Sequence, residues 1–276
     1  MTRAAADPGG LPARATSARD PRVVRLRALQ RHAAARDAEH LAVVDDEALL
    51  LGALDAGCAV ELVLEDAGAA TAPAAWRAAL PVPPVPATQD ALRALSALGR
   101  RPRVVAAIRR PPRAPGPAAG LALAGVRDAG NLGAIVRTAA ALRLPAVTLL
   151  PGCGDPWGRK ALRAAQGATF APGLVRHAAD IAALRGAGPV LAAVPRGGAD
   201  PATLDGTATV VLGAEDAGLG DELLAACDGT VTVVADGFES LGVAAAAAIL
   251  GDALARARRA AGLRPPDGPR PAGRRA

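Results

Sequence analysis

The stretch GLALAGVRDAGNLGAIVRTAA (120–140) sets the pattern for the larger part of the chain. It runs from an apolar segment typical of a buried strand, through a polar turn, into an Ala-rich segment with helical spacing. Six residues separate Asn131 from Arg137, which is roughly 600° of helical turn, so the two side chains do not share one stripe. We expect Asn131 at the turn and Arg137 nearly two turns inside the helix. Taken alone, the pair fits a helix cap and a solvated arginine.

The same alternation of strand and helix continues to residue 262. Strands that alternate with helices predict a mostly parallel sheet covered on both faces. The chain closes this region with a long Ala-rich helix, SLGVAAAAAILGDALARARR (240–259), for which Ser240 is the expected N-cap. The other predicted strands are AVTLL (146–150), GLVRH (173–177), VLAAV (190–194), TVVLG (209–213) and TVTVV (230–234).

The segment RRPPRAPGPAAG (109–120) divides the chain, because four prolines and three arginines in twelve residues are a linker composition. Upstream, helical patterns such as VVRLRALQRHAAA (23–35) alternate with short apolar runs, which predicts a small α/β domain. The ends lack periodicity and read as a disordered basic arm and a disordered tail. The predicted divisions are therefore an arm 1–21, a first domain 22–108, a linker 109–119, a second domain 120–262 and a tail 263–276.

The charge and composition of the chain indicate which class of molecule it binds. The chain of 276 residues carries a formal net charge of +6 with a pI near 10.6, which favours a polyanion such as RNA. Of its 32 basic residues only Lys160 is a lysine, a bias that a GC-rich genome produces. Aromatic residues make up only 1% of the chain, so few side chains are available for base stacking. RNA recognition would then depend on shape and folded loops.

The scattered cysteines and histidines argue against a disulfide framework and against a metal site. Cys58, Cys153 and Cys227 form no CxxC pair, and the three histidines form no ligand cluster. No apolar run reaches the length of a membrane span, and the N-terminus lacks the apolar core of a signal peptide. We therefore expect a cytoplasmic protein without a metal and without a membrane partner.

Three polar turns follow strands of the predicted sheet, where open α/β sheets bind ligands. The dinucleotide fingerprint, the P-loop and the Gly-x-Ser-x-Gly elbow are absent, which disfavours a nicotinamide enzyme, a kinase and a hydrolase. The turns lie in the segments GNLGAIVRTA (130–139), LGAEDAGLG (212–220) and SLGVAAAAAIL (240–250). These three segments resemble the ordered motifs of the SpoU/TrmH family of SPOUT methyltransferases, and KALRAAQGATF (160–170) resembles the family's connecting segment.

The resemblance implies a fold, a cofactor and a partner. Family members use S-adenosylmethionine to methylate ribose 2′-hydroxyls of RNA, so an rRNA, or else a tRNA, is the expected substrate. Their α/β sheet ends in a C-terminal trefoil knot, and two chains form a homodimer. Residues 22–108 resemble the L30e-like RNA-binding domain that many members carry in front of the methyltransferase domain.

The resemblance also assigns site residues position by position. Asn131, Arg137, Glu215 and Ser240 fall on catalytic positions, whereas Gly213, Gly218, Val233 and Leu241 fall where members hold the cofactor, largely through backbone groups. An arginine side chain stays protonated in proteins, which makes Arg137 a poor base, so we expect it to clamp the phosphate beside the target ribose. In the first domain, the expected RNA phosphate contacts are Arg25, Arg27, Arg31 and Arg36.

Departures from the family motifs keep a second function open. Gly242 stands where the third motif has Asn, Ala244 replaces a common Ser, and Ala165 replaces a Ser of the connecting segment. Backbone-mediated cofactor binding survives such changes, but a catalytic contribution of those side chains does not. The alternative to a methyltransferase is therefore a non-catalytic RNA-binding protein that keeps the fold. A nicotinamide oxidoreductase ranks third because the fingerprint is missing.

Overall fold

The computed structural model describes residues 13–68, 75–96, 102–235, 237 and 240–265. The chain forms two compact units. The first comprises the described residues up to Arg110 together with Trp157–Arg159, and the second comprises Pro111–Pro156 and the described residues from Lys160 onward. The division after Arg110 falls inside the Pro/Arg segment that the sequence predicts as a linker. Within the described residues no helix is both long and apolar enough to cross a bilayer.

The first unit is a small α/β structure built on a mixed sheet. Within its described residues the strand order is β1-β4-β2-β3; β4 runs antiparallel to both neighbours, and β2 runs parallel to β3. Leu26 and Leu29 pack their helix onto this sheet. The strands are β1 (Leu41–Val44), β2 (Val60–Asp66), β3 (Val85–Ala87) and β4 (Val104–Arg109), and the helices are α1 (Pro21–Arg31), α2 (Ala33–Glu39), α3 (Glu47–Asp55), α4 (Ala75–Ala79) and α5 (Gln89–Arg93).

Two sequence predictions for this unit need correction. The arm predicted over 1–21 is wrong for residues 13–21, because Ala15 is fully buried and bridges to Ala87, and Asp20 caps α1; residues 1–12 lie outside the described part. The single helix predicted over 23–35 is broken at His32, whose extended backbone ends α1 and begins α2. The short elements β3, α4 and α5 carry too few residues to show a period, and the sequence does not predict them.

The second unit is an all-parallel sheet, as the alternation predicts. Among the described residues its six strands have the order β10-β8-β9-β5-β6-β7. Helix α7 belongs to this unit from Lys160 on. The strands and helices of the unit, in chain order, are β5 (Gly120–Leu123), α6 (Ala129–Ala141), β6 (Ala146–Leu149), α7 (Arg159–Ala165), β7 (Val175–His177), β8 (Val190–Ala193), β9 (Thr209–Leu212), α8 (Asp221–Ala225), β10 (Gly229–Val231) and α9 (Val243–Ala260).

Side chains of the central strand alternate between two apolar layers. Leu121 and Leu123 point into a core shared with α6 and α9, whereas Ala122 and Ala124 face the opposite side, which the 181–184 turn and α8 cover. Both faces of the sheet are therefore covered, and the carboxyl ends of the strands are left to form turns. The connections on either side of β8 contain 3-10 turns (Ala182–Leu184 and Pro201–Thr203), which departs from the general alternation of strands and helices that the sequence predicts.

Helix boundaries differ from the prediction at two functional motifs. Helix α6 begins at Ala129 with Asp128 as its N-cap, so Asn131 lies in the first helical turn and does not cap it. Helix α9 begins at Val243, and its N-cap is Gly242, so the prediction of Ser240 as the cap is wrong. The Asp128 side chain accepts from the Asn131 N–H, whereas Gly242 has no side chain that could cap α9. The side chains of Asn131 and Ser240 are therefore not used as helix caps.

The Pro/Arg segment packs on the second unit. Arg176 donates hydrogen bonds to the backbone carbonyls of Pro115 and Gly116 over 3.0 Å each, and its Nε donates to the carbonyl of Gly173 over 3.0 Å. Burial lowers the pKa of the Arg176 guanidinium. A segment whose composition is typical of a linker is thus held by a side chain distant in sequence.

Candidate active site

A cavity of about 410 Å³ opens at the carboxyl ends of β8, β9 and β10 in the second unit. Its walls come from the turn after β9, the residues after β8 and β10, and the first two turns of α9. Because parallel strands end at one edge of their sheet, turns that lie far apart in sequence meet there. The cavity is the meeting point of the second and third sequence motifs.

Gly213 and Gly218 shape the turn after β9. A Cβ on Gly213 would lie 2.2 Å from both the carbonyl carbon and the oxygen of Gly218, so the chain folds back on itself too closely for any side chain. Gly218 has φ +61° and donates its N–H to the carbonyl of Ala214 over 2.9 Å. Glycine is the residue that adopts this conformation at little cost. Both predicted glycines line the cavity, and the backbone geometry of the turn favours glycine at each of the two positions.

The rest of the cavity wall is largely apolar. Val233 and Leu241, the other two predicted cofactor residues, line it, and Leu241 keeps 38% of its surface exposed. Among the described lining residues, polar side chains come only from Glu215 and Ser240. Such a wall suits a ligand with a flat apolar ring and a few polar groups that backbone amides and carbonyls recognise.

Glu215 is tied to the first motif. The Asn131 side chain donates from Nδ2 to Glu215 Oε1 over 2.6 Å, although 84 residues separate the two in the chain. Asn131 stands in the first turn of α6, and Glu215 stands in the turn after β9. The structure thus brings together two of the residues that the sequence selects as catalytic positions.

The N-terminus of α6 carries an ion pair that the sequence analysis does not predict. The Asp128 carboxylate accepts from the Asn131 N–H over 2.9 Å and from Lys160 Nζ over 2.6 Å. The Lys160 ammonium, followed by the Asn131 N–H, holds the pKa of Asp128 below its usual value. A signal was present in the sequence, since Lys160 is the one lysine in a chain that otherwise uses arginine.

Gly242 faces the same cluster from α9. A Cβ on Gly242 would lie 3.9 Å from Glu215 Oε1, the oxygen that accepts from Asn131. The position where the third motif carries Asn therefore borders Glu215, and in this chain it leaves that side of the carboxylate without a side chain from residue 242. All three motifs meet at one carboxylate.

A sequence profile described as the SpoU rRNA Methylase family matches residues 119–251, which include this whole cluster. We call residues 119–251 the SpoU domain, after the profile that they match. An rRNA methyltransferase from Sinorhizobium meliloti is similar to the chain in structure: it is 27% identical with a TM-score of 0.74, and the match covers 90% of this chain and 97% of that one.

Two further relatives match different shares of the chain. The SpoU methyltransferase AviRb from Streptomyces viridochromogenes, solved in complex with AdoMet, shares the fold at 22% identity and a TM-score of 0.75, with 87% of this chain and 99% of that chain covered. The mitochondrial rRNA methyltransferase 3B of Danio rerio is 56% identical over 45 residues, or 16% of this chain. That match spans 10% of the length of the Danio rerio protein.

Arg137 of the SpoU domain lies outside the cavity wall. It is exposed on α6, nearly two turns beyond Asn131, and among the described residues it makes no ion pair. An exposed guanidinium is available to a phosphate. Its assignment stays a prediction.

The four arginines predicted to contact RNA have different surroundings in the first unit. Arg31 is exposed and Arg27 is half-buried. Arg25 pairs with the carboxylates of Glu39 and Glu61. Arg36 needs correction: its side chain is buried and donates from Nη1 to the carbonyl of Leu29 over 2.6 Å, so it holds the end of α1 and is not presented to a phosphate.

Among the described residues, no group of three or more His, Cys, Asp or Glu side chains is arranged to hold a metal ion. The three cysteines form no disulfide with one another, and burial raises the pKa of Cys58 to about 11 and also raises that of Cys153. Thiols with raised pKa values are poor nucleophiles because the thiolate is scarce.

Proposed function

We propose that the chain transfers a methyl group from S-adenosylmethionine to a ribose 2′-hydroxyl of RNA, with an rRNA ahead of a tRNA as the substrate. The observation that carries this proposal is the meeting of the three motifs at the Asn131–Glu215 hydrogen bond beside an apolar cavity. The S. meliloti relative, at 27% identity, is an rRNA methyltransferase that has been solved with AdoMet bound. Another structural relative, which shares the fold at 23% identity, is an RNA 2′-O ribose methyltransferase.

The cavity fits the cofactor in its chemistry. The apolar wall around Val233 and Leu241 suits the adenine ring, and the turn that Gly213 and Gly218 shape offers backbone groups to its polar edge. When bound, the cofactor supplies an electrophilic methyl group on a sulfonium. Ser240, which also lines the cavity, would orient the reacting groups.

The protein's part in the transfer is alignment and removal of a weakly acidic proton. Glu215, held by Asn131, is a carboxylate at the cavity wall. Arg137 would clamp the phosphate beside the target ribose and stabilise the alkoxide that develops there. A phosphate clamp suits arginine because its planar fork donates two parallel hydrogen bonds.

For the first unit we propose an L30e-like fold with an RNA-binding role. Its support is the small α/β architecture, the exposed Arg31 and the net charge of +6. Contacts to phosphate would set the position of the RNA without reading its bases.

The remaining family features are proposals as well. A C-terminal trefoil knot would account for a cavity built from turns of the last third of the chain. A homodimer would cover the exposed apolar side chains of Leu241 and Ile249, which are 38% and 45% exposed. The cytoplasm stays the expected location, although the relatives from Danio rerio are mitochondrial.

Methyl transfer from radiolabelled S-adenosylmethionine to total rRNA tests the function, with alkali resistance of the product as the mark of ribose 2′-O-methylation. We expect Arg137→Ala to abolish transfer while cofactor binding, measured by calorimetry, stays near that of the wild type. Arg256→Ala, at the far end of α9, is the matched control. Simultaneous loss of transfer and binding in Arg137→Ala would mean a structural role for Arg137.

One observation favours the second candidate, a non-catalytic RNA-binding protein. Gly242 supplies no side chain beside Glu215, where the family motif has Asn. Calorimetry of the wild-type chain separates the two candidates, since a protein that only binds RNA would take up no S-adenosylmethionine. Binding of the cofactor without methyl transfer to any rRNA or tRNA would also contradict the methyltransferase.

A further inference from the structure

Four residues of the SpoU domain form a continuous chain of polar contacts. Lys160 Nζ lies 2.6 Å from Asp128 Oδ2, and Asp128 Oδ1 accepts from the Asn131 N–H over 2.9 Å. Asn131 Nδ2 then donates to Glu215 Oε1 over 2.6 Å. The chain leads from an exposed ammonium on α7, through the N-terminus of α6, to the carboxylate at the cavity wall.

The composition of the protein sets this cluster apart. Asn131 is the only asparagine among 276 residues, and Lys160 is the only lysine beside 31 arginines. A composition that has otherwise replaced lysine by arginine keeps an ammonium here. The physical reason lies in Asp128: an ammonium is a compact charge that engages one carboxylate oxygen, whereas an arginine fork tends to take both. An arginine would therefore compete with the Asn131 N–H for Asp128 Oδ1.

Gly130 allows the ion pair to close over the end of α6. A Cβ on Gly130 would lie 2.8 Å from Asp128 Oδ1 and 3.4 Å from Lys160 Cε. The glycine thus leaves room for the lysine side chain and for the capping carboxylate. The local backbone is shaped to hold the pair in this position.

The ion pair contributes little to stability, which points to a role in geometry. The side chains of Lys160 and Asp128 are 68% and 47% exposed, and pairs with such exposure have small effects on folding. What the pair does hold is the orientation of the capping carboxylate that fixes Asn131. Because Gly242 places no side chain against Glu215, Asn131 is the link that orients this carboxylate.

We propose that Lys160 is a positioning residue that acts through Asp128 and Asn131 to set the orientation of the Glu215 carboxylate at the cavity. The catalytic consequence rests on the proposed function, but the positioning itself does not. The lone asparagine provides a direct test of the positioning, since selective labelling with [15N]asparagine gives a single pair of side-chain amide signals. These signals report on the hydrogen bond to Glu215 in the intact chain without substrate or cofactor.

The first experiment compares the labelled amide in four proteins: wild type, Glu215→Gln, Lys160→Met and Arg256→Met. Arg256 forms a similarly exposed ion pair with Asp252, at the far end of α9, and serves as the matched control. We expect the signals to move in Glu215→Gln and in Lys160→Met, and to stay in place in Arg256→Met. Unchanged signals in Lys160→Met would overturn the proposal, whatever the protein catalyses.

The second experiment is a double-mutant cycle on methyl transfer. We expect Lys160→Met to lower kcat by about threefold to fivefold, the size of a surface ion pair, with the KM for RNA unchanged. In the Asn131→Ala background the same change should have no further effect, because the link through which it acts is gone. Lys160→Arg should restore kcat only in part, since the fork disturbs the cap of α6.

A direct phosphate contact by Lys160 gives a different result. Lys160→Met would then raise the KM for RNA, the effect would persist in the Asn131→Ala background, and Lys160→Arg would restore the wild-type KM. That outcome overturns the positioning role. If the wild-type chain transfers no methyl group, the proposed function fails, while the amide signals still decide whether Lys160 positions Glu215.

Discussion

Asn131 Nδ2 lies 2.6 Å from Glu215 Oε1, and this hydrogen bond joins the first turn of α6 to the turn after β9. Asn131→Asp replaces the donor by a second carboxylate, which cannot donate to Glu215 Oε1 and repels it. We expect this variant to transfer methyl groups at least about tenfold more slowly than the wild type, because the Glu215 carboxylate loses the hydrogen bond that holds it at the cavity. Methyl transfer by the two proteins under the same conditions checks the prediction. Equal rates would contradict it.

Gly213 should be required for cofactor binding. In Gly213→Ala the new Cβ would meet the backbone of Gly218 at 2.2 Å, so the turn must open and the cavity wall moves. We expect S-adenosylmethionine to bind at least about tenfold more weakly by calorimetry. Gly220→Ala is the control in the same turn, because a Cβ there meets no atom within 4 Å. Equal affinities of the two variants would argue that the ligand does not use this wall.

Substitution of Arg31 should affect RNA binding, whereas substitution of Arg36 should affect the stability of the fold. Arg31 is exposed, and Arg31→Ala should weaken RNA binding and reduce the salt slope by about 1 without changing the melting temperature. Arg36 is buried against the carbonyls of Leu29 and Gln30, so Arg36→Ala should cost about 2 kcal/mol of stability. Filter binding at several salt concentrations and thermal unfolding measure the two effects. A stable Arg36→Ala protein with weaker RNA binding would reverse the assignment.

Because of Asp20, the stability of the first unit should decrease at low pH. This residue caps α1, and hydrogen bonds from the buried Arg22 side chain hold the pKa of Asp20 below its usual value of 3.8. Such a carboxylate stabilises the fold fully above its unfolded pKa, and this contribution is lost as the pH falls through the lower folded pKa. Asp20→Asn should cost about 3 kcal/mol at neutral pH, with the difference from wild type shrinking below about pH 4.

Tryptophan fluorescence during urea unfolding measures this difference, because Trp76 and Trp157 both belong to the first unit. The control is Asp90→Asn, which removes an exposed partner of Arg93 in the same unit. A wild-type minus Asp20→Asn difference that stays constant down to about pH 3 would contradict the assigned pKa direction.

Gly242→Asn should restore the asparagine side chain that the third motif carries at this position. Gly242 is the N-cap of α9 with φ −57°, a conformation open to any residue, and Asn at an N-cap stabilises a helix by a few tenths of a kcal/mol over Gly. Its carboxamide would also approach Glu215 Oε1, from which a Cβ at this position lies 3.9 Å. We expect a slightly higher melting temperature and a severalfold higher kcat. Gly220→Asn, at the N-cap of α8, controls for capping alone.

The strands and the site motifs could be predicted from the sequence because their signals are local. Each apolar run of the second unit contains or overlaps a strand, from β5 (Gly120–Leu123) to β10 (Gly229–Val231), since a buried parallel strand needs apolar residues on both faces. The glycine turn at Gly213 and Gly218 is visible for the same reason, because its backbone admits no side chain. Sequence alone thus determined the α/β alternation and the residue types of the cavity.

Contacts between distant residues were decided only by the tertiary structure. Three sets of contacts join separate segments of the chain. They are the hydrogen bond from Arg36 to Leu29, the hydrogen bonds from Arg176 to the Pro/Arg segment, and the chain of polar contacts from Lys160 to Glu215. Asp128 caps α6 because its side chain reaches the free N–H of Asn131, and neighbouring polar residues look like equal candidates in the sequence. A sequence pattern records the local preferences of a segment, whereas the partner of a polar side chain is set by the packing of the whole domain, which brings separate segments within hydrogen-bond distance.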